Sequence, residues 1–329
     1  MKNSADTANG KVYSIYWWKW LVFILAAFGL YYQFFQNTNL NSAWQEYRNN
    51  VSENATALTV LVFVLMLINW AVEAARWNSL LKKVEEISFL HALRATLCGI
   101  SFALFTPNRV GEYAGRVLFL NTVSRWRVFI VTTVGIYAQL LCTILFGTAG
   151  ILMVMFHDDV FNSSVYFEWT IIALLIISVV LLFILYFNIS VIENLLERIS
   201  FLNRLKVYLK VLLKYSKAEL SRVLLMSVLR YFVFTLQYIL LLRVFNIEIP
   251  LMEGSALIAS IFLVQTIIPS VAIAEMGIRG NVALFFLTPY STNQLGIVSA
   301  AWALWLINLV IPAIAGMFLI LISRSKKNK

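Results

Sequence analysis

The chain has 329 residues, of which 61% are hydrophobic and only 13% charged, and its net charge is +10. With a mean hydropathy of +0.81 it lies far from soluble domains, where about a quarter of residues are charged, and reads as a polytopic membrane protein. The Lys and Arg excess sits in short loops between apolar segments, where it sets orientation, so the charge does not point to nucleic acid.

A bilayer core takes about 20 apolar residues per helix. In chain order, the runs that meet this are Trp18 to Phe35, Ala57 to Trp77, Val128 to Phe156, Trp169 to Phe187, Val223 to Phe245 and Gly296 to Ile322. The first follows Lys11 and Lys19 without a small-residue cleavage pattern and is read as a retained helix. Two further stretches, Phe89 to Phe105 and Ser255 to Ile268, each end at a proline followed by a polar patch and a short apolar piece. They are predicted to be re-entrant hairpins, spanning 89–121 and 255–288.

Loop charges orient the spans. The positive ends are the N-terminus, the Arg76 to Lys83 loop, Arg125 with Arg127, the basic segment 198–222 and the tail from Arg324. The loops Gln36 to Thr56, His157 to Glu168, Asn246 to Gly254 and Pro289 to Leu295 are poor in positive charge. Six crossings with both termini cytoplasmic put every loop on its expected side, which a full crossing by either hairpin would spoil. Divided near residue 160, the chain then reads as two inverted halves, 18–156 and 169–322, within one integral membrane domain covering 1–329. The predicted fold class is therefore an all-α polytopic membrane protein: about six transmembrane helices plus two opposed re-entrant helical hairpins in inverted repeats.

The hairpin tips carry the chemistry. Pro107 precedes Glu112-Tyr-Ala-Gly-Arg116, and Pro269 precedes Glu275-Met-Gly-Ile-Arg279. A spacing of four sets Glu and Arg on one helical face in the favourable order. A charge at the bilayer centre costs roughly 2.5 to 3.5 kcal/mol, so pairing or water must offset it. Each pair alone would be explained by self-neutralisation, tying a hairpin to its neighbours. Broken helices at matching places in inverted halves point instead to a transporter's midplane site. A helix starting after each proline directs its N-terminal dipole at an anion, and Arg109, Arg116 and Arg279 add forked donors suited to phosphate oxygens. Glu112 and Glu275 hold the arginines, bind an amine on the headgroup, or exchange protons; the residues alone leave these open.

Other buried polar groups rank lower. Glu73 and Arg76 lie three apart at the end of the second span, where snorkelling accounts for Arg76. Arg230 lies about two turns inside the fifth span, either in the site wall or paired structurally. Gln139, Gln265 and Asn308 are expected to be interhelical hydrogen-bond donors. Cys98 and Cys142 both fall in apolar runs, which argues against a disulfide framework. His157-Asp158-Asp159 lacks further spaced ligands, so no metal and no cofactor is expected. Lys206, Lys210, Lys214 and Lys217 recur at helical spacing beside leucines, as a cytoplasmic helix extension or an amphipathic helix on anionic lipid. Trp17, Trp18, Trp20, Trp77 and Trp169 sit near span ends, as interfacial anchors do.

The order "ARWNSLL", "TPNRVGEYAGR", "IPSVAIAEMGIRG" resembles the flippase-like transmembrane family related to the membrane half of lysylphosphatidylglycerol synthetases, over nearly the whole chain. The resemblance implies a lipid translocase of a bacterial inner membrane rather than an enzyme. Its cargo would be an anionic or aminoacylated phospholipid, or a polyprenyl or glycolipid carrier, recognised by the headgroup. It assigns Pro107, Arg109, Gly111, Glu112 and Arg116 to one side of the site, Pro269, Glu275, Gly277 and Arg279 to the other, and Arg76 nearby. Many members place a glutamate after the second motif's glycine; here Glu275 precedes Gly277 and its role is not carried over. The aminoacyl-transferring domain of the synthetases does not follow the last span, which implies a separate soluble lipid-modifying enzyme. The rivals are an integral-membrane enzyme acting on a lipid phosphate, which would need a nucleophile or metal cluster, and a scaffold recruiting partners to the basic face.

Overall fold

The computed structural model of the protein describes residues 53–104, 106, 109–117, 120, 124–157, 165–188, 191, 210–268 and 272–327, and these contain helix and connecting turn but no strand. The predicted first span, Pro107, Pro269 and residues 198–209 of the basic segment 198–222 lie outside the described residues. The helices are α1 (Ala55–Leu81), α2 (Phe89–Leu104), α3 (Gly111–Val117), α4 (Arg125–His157), α5 (Val165–Phe187), α6 (Lys217–Val244), α7 (Leu251–Ile267), α8 (Ala272–Leu287), α9 (Gln294–Trp305) and α10 (Ile311–Lys327).

Among the described residues four helical stretches are long and apolar enough to cross a membrane: Ala55–Leu81, Arg125–Met155, Lys217–Val244 and Gln294–Ile322. The chain is thus an all-helical, multi-pass membrane protein. Helices α2 and α7, with 16 and 17 residues, extend only about 25 Å, short of a hydrocarbon core about 30 Å thick. The predicted span from Trp169 lies in α5, whose stretch Ile172–Phe187 is likewise shorter than the four.

Local chemistry sets several boundaries. Ser216 and Glu219 form a reciprocal capping box at the start of α6, and Asn293 accepts the Gly296 N–H at 2.9 Å to open α9. The predicted span from Gly296 to Ile322 is one helical path interrupted by a π turn, Leu306–Val310. Pro312 has no N–H to return to the Asn308 carbonyl, and the wider turn absorbs the defect.

Small residues bring the helices together, as expected where lipid removes the hydrophobic drive between them. A Cβ on Gly150 would lie 2.4 Å from the Ala256 carbonyl oxygen, and one on Gly147 3.0 Å from that of Ala259, so α4 and α7 meet almost backbone to backbone. Likewise, a Cβ on Gly115 would lie 2.5 Å from the Cys98 carbonyl oxygen and 2.6 Å from the Gly99 Cα. Gly115→Ala is therefore expected to push α3 off α2 and lower stability by about 1–3 kcal/mol, read as a fall in the thermal midpoint in detergent. An unchanged midpoint would mean that the two helices do not touch there.

Two large apolar clusters, with a small third one of Cys142, Tyr231 and Ala259, form the interior of the described residues. The larger unites α1, α2 and α6–α10 around Val62, Tyr238, Leu257, Ile261, Leu284 and Ile297; the second joins α1, α2, α4, α5 and α6 around Trp77, Leu80, Val131, Tyr186 and Leu220. Outward faces of α1 and α5, including Leu67, Leu174 and Leu181, remain exposed to the bilayer. Of the buried charged residues, Glu73, Arg76 and Arg230 border a cavity.

Candidate functional site

The first charged cluster is built on α1. One helical turn separates Glu73 from Arg76, whose Nη2 donates to Glu73 Oε2 at 2.5 Å. Arg116, from α3, donates to Glu73 Oε1 at 2.6 Å and also to Glu112, while Arg230, from α6, donates to Glu73 Oε2. One carboxylate thus joins three helices. Aromatic faces complete the setting, with the Arg116 guanidinium 5.2 Å from the Trp77 ring centroid and that of Arg230 5.9 Å from Trp70. Arg76 further donates to Ser227 at 2.7 Å and Gln139 at 3.2 Å, and Arg230 to Asn69 at 2.9 Å. Snorkelling does not describe Arg76: it is 3% exposed and its hydrogen bonds are made inside the bundle, because a buried carboxylate one turn away offers more than the interface would.

The second cluster is built on α8. Glu275 Oε2 accepts from Trp305 of α9 at 2.9 Å and from Arg109 at 3.3 Å, and lies 3.6 Å from Arg279 Nη2. Arg279 Nη1 donates to Gln265 at the end of α7, at 3.0 Å. Gln139 and Gln265 are therefore acceptors for arginines rather than donors between helices. Asn308 does join two helices, but as an acceptor: it accepts from Asn69 at 3.3 Å and donates only to the Leu304 carbonyl of its own helical path, at 3.1 Å.

The two predicted motifs meet through Arg109. Its backbone adopts φ 57°, a left-handed conformation that non-glycine residues rarely hold without support. Support comes from Thr106, whose hydroxyl donates to the Phe102 carbonyl at 3.1 Å and accepts the Gly111 N–H at 2.6 Å. Gly111 is required there, since a Cβ would sit 2.4 Å from that same Phe102 oxygen. The resulting turn sends Arg109 across to Glu275, 166 residues further along the chain. It also occupies the first N–H of α3, so that helix does not offer the fully free N-terminus expected after Pro107. Gly277 lies within α8, where its carbonyl accepts from Asn281 at 2.9 Å.

Both clusters line one cavity of about 620 Å³, the size of a small-ligand site. Arg76, Arg109, Arg230 and Arg279 contribute to its wall, as do Glu73, Glu112 and Glu275. Arg116 lies behind that wall, 2% exposed, and holds Glu73 and Glu112 in place. Trp70 Nε1, Tyr231 Oη, Arg76 Nε and Arg279 Nε are buried without a hydrogen-bond partner among the described residues, and all four residues border the cavity. Among the described residues no group of His, Cys, Asp and Glu could hold a metal ion.

A family model for the lysylphosphatidylglycerol synthase TM region matches residues 16–316. The chain belongs to this family. None of the curated proteins compared with it matches. Within this synthase membrane region, sequence reasoning placed Glu73 too low and did not single out Trp305 or Asn69. The signal for Glu73 was present: a carboxylate inside an apolar span, one turn from an arginine. For Trp305 there was none, because tryptophans in apolar helices are common and its distance from Glu275 is a tertiary fact.

Proposed function

We propose that this synthase-family membrane region is a lipid translocase that moves a lipid with an anionic headgroup between leaflets by alternating exposure of the cavity. The observation that carries the reading is the charge balance of the cluster among the described residues: five arginines, Arg76, Arg109, Arg116, Arg230 and Arg279, against three glutamates, Glu73, Glu112 and Glu275. Two positive charges in excess within a membrane bundle call for a mobile anion, because an unpaired buried charge is severely penalised.

Donor capacity locates the anion. Among the described residues Arg109 makes a single side-chain bond and is 41% exposed, whereas Arg116 is buried and held between two carboxylates. The phosphate is assigned to Arg109 and Arg279, with Arg76 and Arg230 as the opposite wall and Arg116 as a positioning residue. Glu275 is their counter-ion until the ligand arrives.

The remaining assignments follow from this reading. The chain crosses a bacterial inner membrane six times with both termini cytoplasmic, and α2–α3 and α7–α8 are re-entrant hairpins of inverted repeats. The shortness of α2 and α7 and the meeting of the two Glu-x-x-x-Arg motifs at one cavity support that topology. Phospholipid, aminoacylated phospholipid and polyprenyl or glycolipid carriers all present the required phosphate. No bond-making step is assigned to the residues of this cavity.

The test is leaflet exchange in proteoliposomes with headgroup-labelled anionic, aminoacylated and zwitterionic phospholipids. Protein-dependent exchange is expected for those whose phosphate the arginines reach, fastest for the anionic lipid. A folded protein that moves none of these, nor a polyprenyl phosphate carrier, would remove the reading.

A further inference from the structure

The cavity is not closed on the side of α4. Its wall there is formed by Gln139, Thr143, Ile136 and Leu140, which step round α4 through an arc of about 100°. Gln139 faces Arg76, whereas Ile136 is 37% exposed and shares the outer stripe with Phe129, itself exposed. The lining of the cavity thus runs into the outer face of the helix without a barrier between them. Thr266 of α7, exposed and bordering the cavity, stands across the gap, while the Tyr113 ring of α3 lies 4.4 Å from that of Phe129 and closes the gap towards the start of α4.

The depth and chemistry of this gap are those of hydrocarbon. Ile136 to Thr143 occupy the middle of a 33-residue helix. The Thr266 hydroxyl donates to its own helix, to the Phe262 carbonyl at 2.8 Å, which leaves its methyl group for the opening. A water-soluble anion has no use for an apolar mouth at that depth, because it would have to cross lipid to reach it.

We infer that the cavity opens sideways into the bilayer between α3, α4 and α7, and that this mouth carries the acyl chains of the lipid whose anionic headgroup sits at Arg109 and Arg279. The inference rests on the translocase reading and adds the direction from which the cargo arrives. The headgroup turns inward past Gln139 and Gln265 while the chains stay in the membrane, resting on Ile136, Leu140 and the Thr266 methyl. Only the headgroup is desolvated into the bundle, which is what a volume of about 620 Å³ accommodates.

The experiment places p-benzoylphenylalanine at Ile136, at Thr266 or, as a control, at Leu229, which is exposed on α6 and does not border the cavity. Ile136 and Leu229 lie about 16 and 18 Å along their helices, so depth is matched. The protein is reconstituted in zwitterionic lipid containing a small fraction of anionic phospholipid tagged on its acyl chain. Photocrosslinking to the tagged lipid is expected to be several-fold above the control at positions 136 and 266, and to fall to the control level when Arg109→Gln and Arg279→Gln are added. Equal yields at all three positions would overturn the lateral mouth, as would enrichment that survives loss of both arginines. Leaflet exchange measured on the same samples separates the two claims: exchange without enrichment sinks the mouth alone, and absence of both sinks the translocase with it.

Discussion

Replacing Arg109 and Arg279 together by glutamine is expected to lower exchange of an anionic lipid by about a hundredfold while leaving the fold intact. A hydrogen bond to a charged group contributes about 1.5–3 kcal/mol, and the lower figure applies here because Arg109 is partly open to solvent. Removing two such hydrogen bonds to the anion costs about 3 kcal/mol, or two orders of magnitude in affinity. The fold is expected to survive with a lowered thermal midpoint: Glu275 loses both cationic partners but keeps Trp305 as a donor, and neither arginine reaches the Glu73 cluster. Proteoliposome exchange rates and the thermal midpoint check the two halves of this statement. A folded double variant that still exchanges lipid at the parent rate would move the anion site away from these residues.

The opposite division of effects is expected for Glu73→Gln. Its carboxylate pairs with three guanidinium groups from three helices, and removing one partner of a buried ion pair costs about 3–5 kcal/mol. Against a typical total of about 5–15 kcal/mol, that brings the protein close to unfolding. The measurement is the thermal midpoint in detergent, with monodispersity as a second readout. Adding Arg230→Gln to Glu73→Gln should recover part of the loss, since it withdraws one of the stranded charges. A midpoint that barely moves in the single variant would mean that water already hydrates this cluster. Arg116→Gln belongs with Glu73→Gln rather than with the ligand site, because its guanidinium bonds to Glu73 and Glu112 behind the cavity wall. It is expected to lower stability more than it lowers ligand preference.

Much of the candidate site was legible because cost leaves a mark in an apolar sequence. Glu112, Arg116, Glu275 and Arg279 stood out where charge is expensive, and their spacing of four announced the ion pairs Arg116–Glu112 and Arg279–Glu275. The division of labour among them was not legible. Arg116 and Arg279 occupy equivalent places in their motifs, yet Arg116 lies behind the wall and Arg279 lines it. The difference arises from Glu73, which reaches Arg116 from another helix and has no counterpart in the second motif.

Hydropathy and loop charge by themselves determined that the chain is a helical, multi-pass membrane protein, because a bilayer admits few alternatives to long apolar helices. The cap at Asn293 and the π turn before Pro312 obey local covalent rules, but the span pattern ran through the second of them unmarked. Only the tertiary structure decided that Arg109 crosses to Glu275, that three arginines converge on Glu73, and that the lining of the cavity reaches the outer face of α4. Each of these depends on side chains from helices far apart in sequence. Their distances are set by how closely Gly111, Gly115, Gly147 and Gly150 let backbones approach, and periodicity along a single helix carries no record of that.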